Sequence, residues 1–335
     1  MVKLVREEWF KNVQRVRFAN LPTPVEPMPR LSAALDGPRL LVKRDDLTGL
    51  AFGGNKTRKL EFLLAEARAH GARTLITAGA VQSNHCRQTA AAAARFGYDC
   101  ILVLAGEKPG GISGNLLLDH VFGAEIVWTG RATRRQALDQ AYQAARDGGR
   151  RPYLIPYGGS SPTGALAYAG ALMELLEQGT RPDWVIFPSS SGGTQAGLAL
   201  GAYLGDYPGK VLGISIDEPA GVLQERVAEL AGKAAGLLGE ALVIHPAEVL
   251  VNDSYLGQGY GVMGEPEREA VRLFAHQEGL LLDPVYTGRA AAGLIDLIRK
   301  GRFGKDETVL FWHTGGGPAL FADNYRDDLS GAENP

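Results

Sequence analysis

Short apolar runs alternate with helix-period stretches along nearly the whole chain, and this alternation constrains the fold more than any other feature. Strand-like runs stand at 40–43, 74–77, 100–104, 125–128, 153–156, 184–188, 211–216 and 308–313. They are rich in Val, Ile and Leu and often uninterrupted, as in Trp184-Val185-Ile186-Phe187. A strand wetted on one face alternates polar with apolar, whereas a strand covered on both faces does not. Helical patterns lie between and after these runs, at 57–70, 84–97, 113–122, 132–148, 163–178, 194–205, 219–234, 265–278 and 288–300. Strand–helix alternation on this scale predicts an α/β fold: open, mostly parallel, twisted sheets with helices on both faces.

A chain of 335 residues suggests two domains, or one large domain with a second lobe. Gly/Ser/Pro-rich loops at 53–57 and 158–162 flank a middle block of about four strand–helix units. We therefore expect a two-lobed molecule, with a larger domain from 1–57 and 163–335 and a smaller inserted domain at 58–162. The tail after Tyr325 is polar and is expected to fray. A net charge of −2 offers no basic surface to nucleic acid. No apolar run reaches 18 residues, so no membrane span is expected. The first ten residues carry acidic side chains where a signal peptide would be apolar, which argues against secretion. The only cysteines, Cys86 and Cys100, lack metal-ligand spacing and read as structural thiols in a reducing cytoplasm.

Ligands in open α/β sheets sit beyond the C-terminal strand ends, so the loops there should carry the chemistry. The opening loop, Gly53-Gly54-Asn55-Lys56-Thr57-Arg58-Lys59, leads into a helix. A lysine so placed can form a Schiff base with an aldehyde, the bond that anchors pyridoxal phosphate. Lys56 and Lys59 are three residues apart and share a helix face, so that one could carry the imine and the other neutralise a phosphate. A Walker A loop would need lysine where Asn55 stands, so that reading fails. Ser83, Asn84 and His85 open a helix after the run at 74–77, where free backbone N–H groups can seat a carboxylate; a plain N-cap would read the same way. Ser189 to Gly197 is dense in Ser, Gly and Thr, and suits a phosphate cup. Thr314, before three glycines, can offer a hydroxyl to a ring nitrogen. Tyr260 and Tyr286 can bind a carboxylate or move a proton, although most tyrosines only pack. No G-x-S-x-G elbow supports a serine hydrolase, and no histidine cluster supports a metal site.

With these loops in hand, the chain resembles the D-cysteine desulfhydrase and aminocyclopropane-carboxylate deaminase family, pyridoxal-phosphate enzymes of the tryptophan-synthase-β fold type (fold type II). The motifs that carry the resemblance are Lys43-Arg44-Asp45-Asp46, residues 53–61, Gln82-Ser83-Asn84-His85, Thr194-Gln195-Ala196-Gly197 and Asp283-Pro284-Val285-Tyr286. The resemblance implies that Lys56 bonds the cofactor aldehyde and that Asn84 lies beside the cofactor's ring hydroxyl. Ser83, Asn84 and His85 would receive the substrate carboxylate. Ser190, Ser191, Gly192, Gly193 and Thr194 would hold the phosphate, with Lys59 assisting. Tyr260 and Tyr286 would be the active-site tyrosines, and the enzyme a homodimer with a small amino-acid substrate. The deaminases carry glutamate, leucine and glutamine where this chain has Thr287, Thr314 and His85, and all three residues here resemble the desulfhydrase side. A threonine hydroxyl cannot hold a pyridine nitrogen protonated as a carboxylate can, which disfavours ring opening. The resemblance therefore implies α,β-elimination of sulfide from D-cysteine. L-Cysteate sulfo-lyase is the nearer alternative, then aminocyclopropane-carboxylate deaminase, with a non-catalytic cofactor and amino-acid binder as the alternative of another class.

Overall fold

The structure, a computed structural model, describes residues 9–330. Its strands are β1 (Val25–Pro27), β2 (Arg39–Arg44), β3 (Thr74–Ala80), β4 (Asp99–Ala105), β5 (Glu125–Thr129), β6 (Pro152–Leu154), β7 (Trp184–Ser189), β8 (Lys210–Ser215), β9 (Leu250–Asn252) and β10 (Thr308–His313). Its helices are α1 (Pro29–Ala34), α2 (Asn55–Ala69), α3 (Asn84–Phe96), α4 (Gly114–Val121), α5 (Arg134–Asp147), α6 (Pro162–Glu177), α7 (Gly193–Leu204), α8 (Ala220–Leu237), α9 (Glu265–Glu278), α10 (Thr287–Arg299) and α11 (Asp323–Ser330).

The strands form a six-stranded sheet in the order β1-β2-β10-β7-β8-β9 and a four-stranded sheet in the order β5-β4-β3-β6. Every pairing is parallel except β1 with β2. The four-stranded sheet is built wholly from residues 74–154. This is the two-lobed α/β architecture that the alternation predicts.

The reason the central runs lack a period of two is visible in the core. Leu40, Val42, Trp184, Ile186, Val309 and Phe311 point to one face of the larger sheet and pack with α9 and α10. Leu41, Val185, Phe187, Leu310 and Trp312 point to the other and pack with α6 and α7. Both faces are buried, so successive residues are all apolar. The smaller sheet repeats the pattern, with Leu75, Leu102 and Leu104 against α2 and α3. Ile76 and Ile101 lie on the face toward α5. Helix α2 serves both lobes: Leu60, Leu63 and Leu64 enter the smaller sheet's core, while Phe62 packs in the cluster beside α6 and α7.

The structure departs from the sequence expectation at the margins. β1 and β9 are three-residue edge strands, and β1 ends in Pro27, which an edge tolerates. α1 is one and a half turns long and opens with Pro29. The tail does not fray at Tyr325: α11 runs to Ser330, because Tyr325 is buried and donates its hydroxyl to the Gly261 carbonyl at 2.7 Å. Among the described residues no helix is long and apolar enough to cross a membrane.

Candidate active site

A cavity opens beyond the C-terminal ends of parallel strands from both sheets. It is lined by Asn55 and Lys56 from the start of α2, Ser83, Asn84 and His85 from α3, Tyr157 and Gly158 after β6, Ser189 to Gly192 after β7, Thr194, Tyr286 and Thr314. The sequence-predicted loops thus converge, as the strand-end rule requires.

Lys56 stands in the first turn of α2. Gly53 and Gly54 make that placement possible: a Cβ on Gly53 would lie 1.9 Å from the Asp46 carbonyl oxygen, and its φ is +64°. The Asn55 N–H donates to the Thr314 carbonyl at 3.0 Å, tying the α2 start to the loop after β10. Lys56 Nζ donates to the Gly158 carbonyl at 3.0 Å, and Lys59 Nζ reaches the same oxygen at 3.3 Å. Burial lowers the Lys56 ammonium to about 8. Burial, then the neighbouring Lys56 charge, pushes Lys59 well below the ordinary lysine range. The pair therefore keeps a neutral amine available near neutral pH, which is the nucleophilic form.

The phosphate-like seat is the N-terminus of α7. Gly192, its N-cap residue, is left-handed with φ +83° and has no side chain with which to cap the helix. Its orphan N–H groups and dipole face the cavity mouth beside Ser191 and Thr194. Ser160 braces the seat: its Oγ lies 2.7 Å from Ser191 Oγ, accepts from the Gly193 N–H at 3.1 Å and receives Lys59 Nζ at 3.4 Å. Lys59 thus meets this loop through Ser160. A helix end whose N-cap is glycine, with two lysines nearby, fits a bound phosphate, and a lysine amine in the same cavity fits an aldehyde. The residues therefore suit pyridoxal phosphate.

Ser83 caps α3, its Oγ accepting from the Cys86 N–H at 3.2 Å, and it also lines the cavity. His85 is buried, and its Nε2 lies 2.9 Å from Thr77 Oγ1, which itself donates to the Ile155 carbonyl. Thr77's proton is thereby used, so Nε2 carries the hydrogen between them. Burial, then the charges on Lys56 and Lys59, hold His85 well below its usual pKa and keep it neutral. Asn84 Oδ1 accepts from Asn115 Nδ2 at 2.8 Å.

Tyr260 and Tyr286 meet edge to face with hydroxyls 2.6 Å apart. Burial raises both, with Tyr260 adding to the effect on Tyr286, so both remain protonated donors at neutral pH. Tyr286 lines the cavity and Tyr260 stands behind it. Thr287 is turned away from the cavity. Its hydroxyl donates to Asp283 Oδ1 and accepts from the Asp283 N–H, both at 2.7 Å, fixing the start of α10. Sequence reading missed Ser160 and Asn115. The only trace of Ser160 was the Gly/Ser-rich character of 158–162, and Asn115 carried no signal.

The family model described as "Pyridoxal-phosphate dependent enzyme" matches residues 16–315. The chain is 44% identical over 319 residues to a D-cysteine desulfhydrase of Salmonella typhimurium, covering 92% of this chain and 95% of that one. It is 43% identical over 319 residues to one of Salmonella typhi, with the same coverage. Among solved structures, an ACC deaminase homologue superposes with a TM-score of 0.89 at 37% identity, covering 98% of each chain. A threonine deaminase of Solanum lycopersicum matches with a TM-score of 0.68 at 19% identity, over 97% of this chain and 88% of that one, a likeness of fold alone.

Proposed function

We propose, for a chain that belongs to the pyridoxal-phosphate dependent enzyme family, that it eliminates sulfide from a sulfur-containing amino acid, D-cysteine foremost. The overall change is cysteine plus water to pyruvate, ammonia and hydrogen sulfide. The observation that carries this reading is the near full-length 44% identity to D-cysteine desulfhydrases, joined to a cavity that gathers Lys56, the Ser83–His85 helix start and Tyr286.

When bound, the cofactor supplies an electron sink that lets a proton leave Cα and a group leave Cβ. Lys56 would hold its aldehyde, and the α7 N-terminus with Ser190 to Thr194 its phosphate. Ser83, Asn84 and the helix start receive the substrate carboxylate, where the N–H groups and dipole of α3 favour negative charge. The neutral His85 adds no charge there. Lys56, with its amine near pKa 8, is the base that takes the Cα proton. The Tyr260–Tyr286 pair, held protonated, donates to the departing sulfur. The same reading makes the protein a cytoplasmic homodimer, supported by the family resemblance and by two buried free thiols; light scattering after gel filtration checks the dimer.

Cofactor-loaded protein assayed with D-cysteine, L-cysteine, L-cysteate and 1-aminocyclopropane-1-carboxylate tests the assignment. Pyruvate with equimolar sulfide from D-cysteine is expected, and Lys56→Ala should abolish it while the fold persists. Sulfite from L-cysteate as the dominant product would replace this reading with a sulfo-lyase. A 2-oxobutyrate product from the cyclopropane substrate would replace it with a deaminase, and no keto acid from any of them would leave a binding protein.

A further inference from the structure

Three carboxamides connect α4 to the cavity: backbone groups orient Gln82 and Asn115, and Asn115 in turn orients Asn84. Gln82 Nε2 donates to the Ser113 carbonyl at 3.0 Å, so Gln82 Oε1 faces the Asn115 N–H, 2.8 Å away. Asn115 Nδ2 donates to the Gln82 carbonyl at 2.9 Å. A carbonyl only accepts, so the Asn115 amide cannot be turned over. Its second hydrogen is then directed at Asn84, whose Oδ1 accepts it at 2.8 Å. Asn84 must therefore point Nδ2 the opposite way. That atom faces Gly316, where a Cβ would come within 2.7 Å of it. Asn115 is fully buried, and Asn84 lines the cavity.

We propose that Asn115 is a positioning residue that sets the polarity of Asn84, so that the site offers an N–H donor, not a carbonyl oxygen, to the anionic ring oxygen of bound pyridoxal phosphate. Without Asn115, the Asn84 amide is free to present either end. The inference rests on the reading that Asn84 lies beside that ring oxygen. A donor there stabilises the oxyanion and favours the visible-absorbing form of the lysine-bound cofactor.

The test is a pH titration of the visible-to-near-ultraviolet absorbance ratio of holoenzyme, with cofactor affinity measured by reconstituting apoprotein with pyridoxal 5′-phosphate. Asn115→Ala should move the titration midpoint by about half a pH unit or more, with a loss of visible absorbance, because a hydrogen bond to a charged group has become optional. Asn115→Asp should move it further in the same direction, since an ionised carboxylate loses the donor to the Gln82 carbonyl and can only accept from Asn84, turning it around. Asn84→Ala should move it too, and Asn115→Ala added to Asn84→Ala should then add nothing. A shift with Asn84→Ala but none with Asn115→Ala or Asn115→Asp overturns the positioning role. No shift with Asn84→Ala overturns the underlying placement of Asn84. An additive double variant shows that Asn115 acts elsewhere and also overturns the proposal. Thermal midpoints report folding, and if Asn115→Ala does not fold, the isosteric Asn115→Asp carries the same comparison.

Discussion

Arg58 lies two residues beyond Lys56, and its removal should unlatch the platform under the catalytic helix. Its guanidinium is buried and makes five hydrogen bonds. Nε and Nη2 hold Asp45 at 2.9 and 2.8 Å, Nη1 and Nη2 hold Glu174 at 2.9 and 2.8 Å, and Nη2 also reaches Thr23 Oγ1 at 2.9 Å. Lys43 Nζ supplies the second positive charge, 2.7 Å from Glu174. Tyr168 Oη and Trp312 Nε1 complete Asp45. Two cations thus balance two carboxylates in a buried cluster. Arg58→Met leaves two carboxylates facing one ammonium, and removing one partner of a buried pair costs about 3–5 kcal/mol. Glu174 points the same way, with Lys43 sharing the effect. Burial alone would raise it, but Arg58 and Lys43 outweigh burial and hold it at about 2, down from 4.5. At about 1.4 kcal/mol per unit that is about 3 kcal/mol. Because the folded pKa is depressed, this stability is present above pH 4.5 and is lost as pH falls toward 2. Urea unfolding of wild type and Arg58→Met at pH 7 and pH 4 is the assay. We expect a loss of several kcal/mol at pH 7 that narrows at pH 4. Lys305→Met, which breaks the exposed bridge to Asp36, should cost about 1 kcal/mol or less. A loss below about 1 kcal/mol for Arg58→Met would refute the reasoning.

Reloading of apoprotein with pyridoxal, which lacks the phosphate, should accelerate with pH and level off above about 8, since the lowered Lys56 amine is neutral above that value; a rate still climbing at pH 10 would contradict it. Ser160→Ala should weaken pyridoxal phosphate binding about tenfold in a fluorescence titration, by releasing the Gly193 N–H and Ser191 together. Ser161→Ala removes only the α6 cap and should cost about 1 kcal/mol of stability with cofactor affinity unchanged. Tyr286→Phe should lower kcat about a hundredfold or more while leaving cofactor affinity intact, because it deletes the cavity-facing member of the hydroxyl pair; an unaltered kcat would remove the tyrosine from proton transfer.

The uninterrupted runs at β4 and β7 were legible because burial on both faces writes itself into composition. β1 and β9 were not, since three residues gain strand character only from the neighbour they pair with. At the site, Lys56, the Ser83–His85 helix start and the run after β7 were legible because loops at strand ends need glycine and small polar residues to expose backbone N–H groups. Ser160 and Asn115 act on Ser191 and Asn84 across 31 residues each, and no local pattern encodes such a meeting. The Asp45–Arg58–Glu174 cluster was hidden for the same reason, its charges being ordinary in sequence and exceptional only once buried.

The six-stranded sheet closes late. β10, the last in chain order of the described strands, lies between β2 and β7, two of the earlier ones. Until residue 313 has left the ribosome, β2 and β7 each present a bare hydrogen-bonding edge, and Leu40 and Trp184 lack Val309, the residue with which both register. The strands of the four-stranded sheet are all complete by residue 154. Translation therefore delivers the sheets in a fixed order: one has all its strands while the other is incomplete, and a stop between β7 and β10 leaves two unpaired strand edges at the centre of the larger sheet.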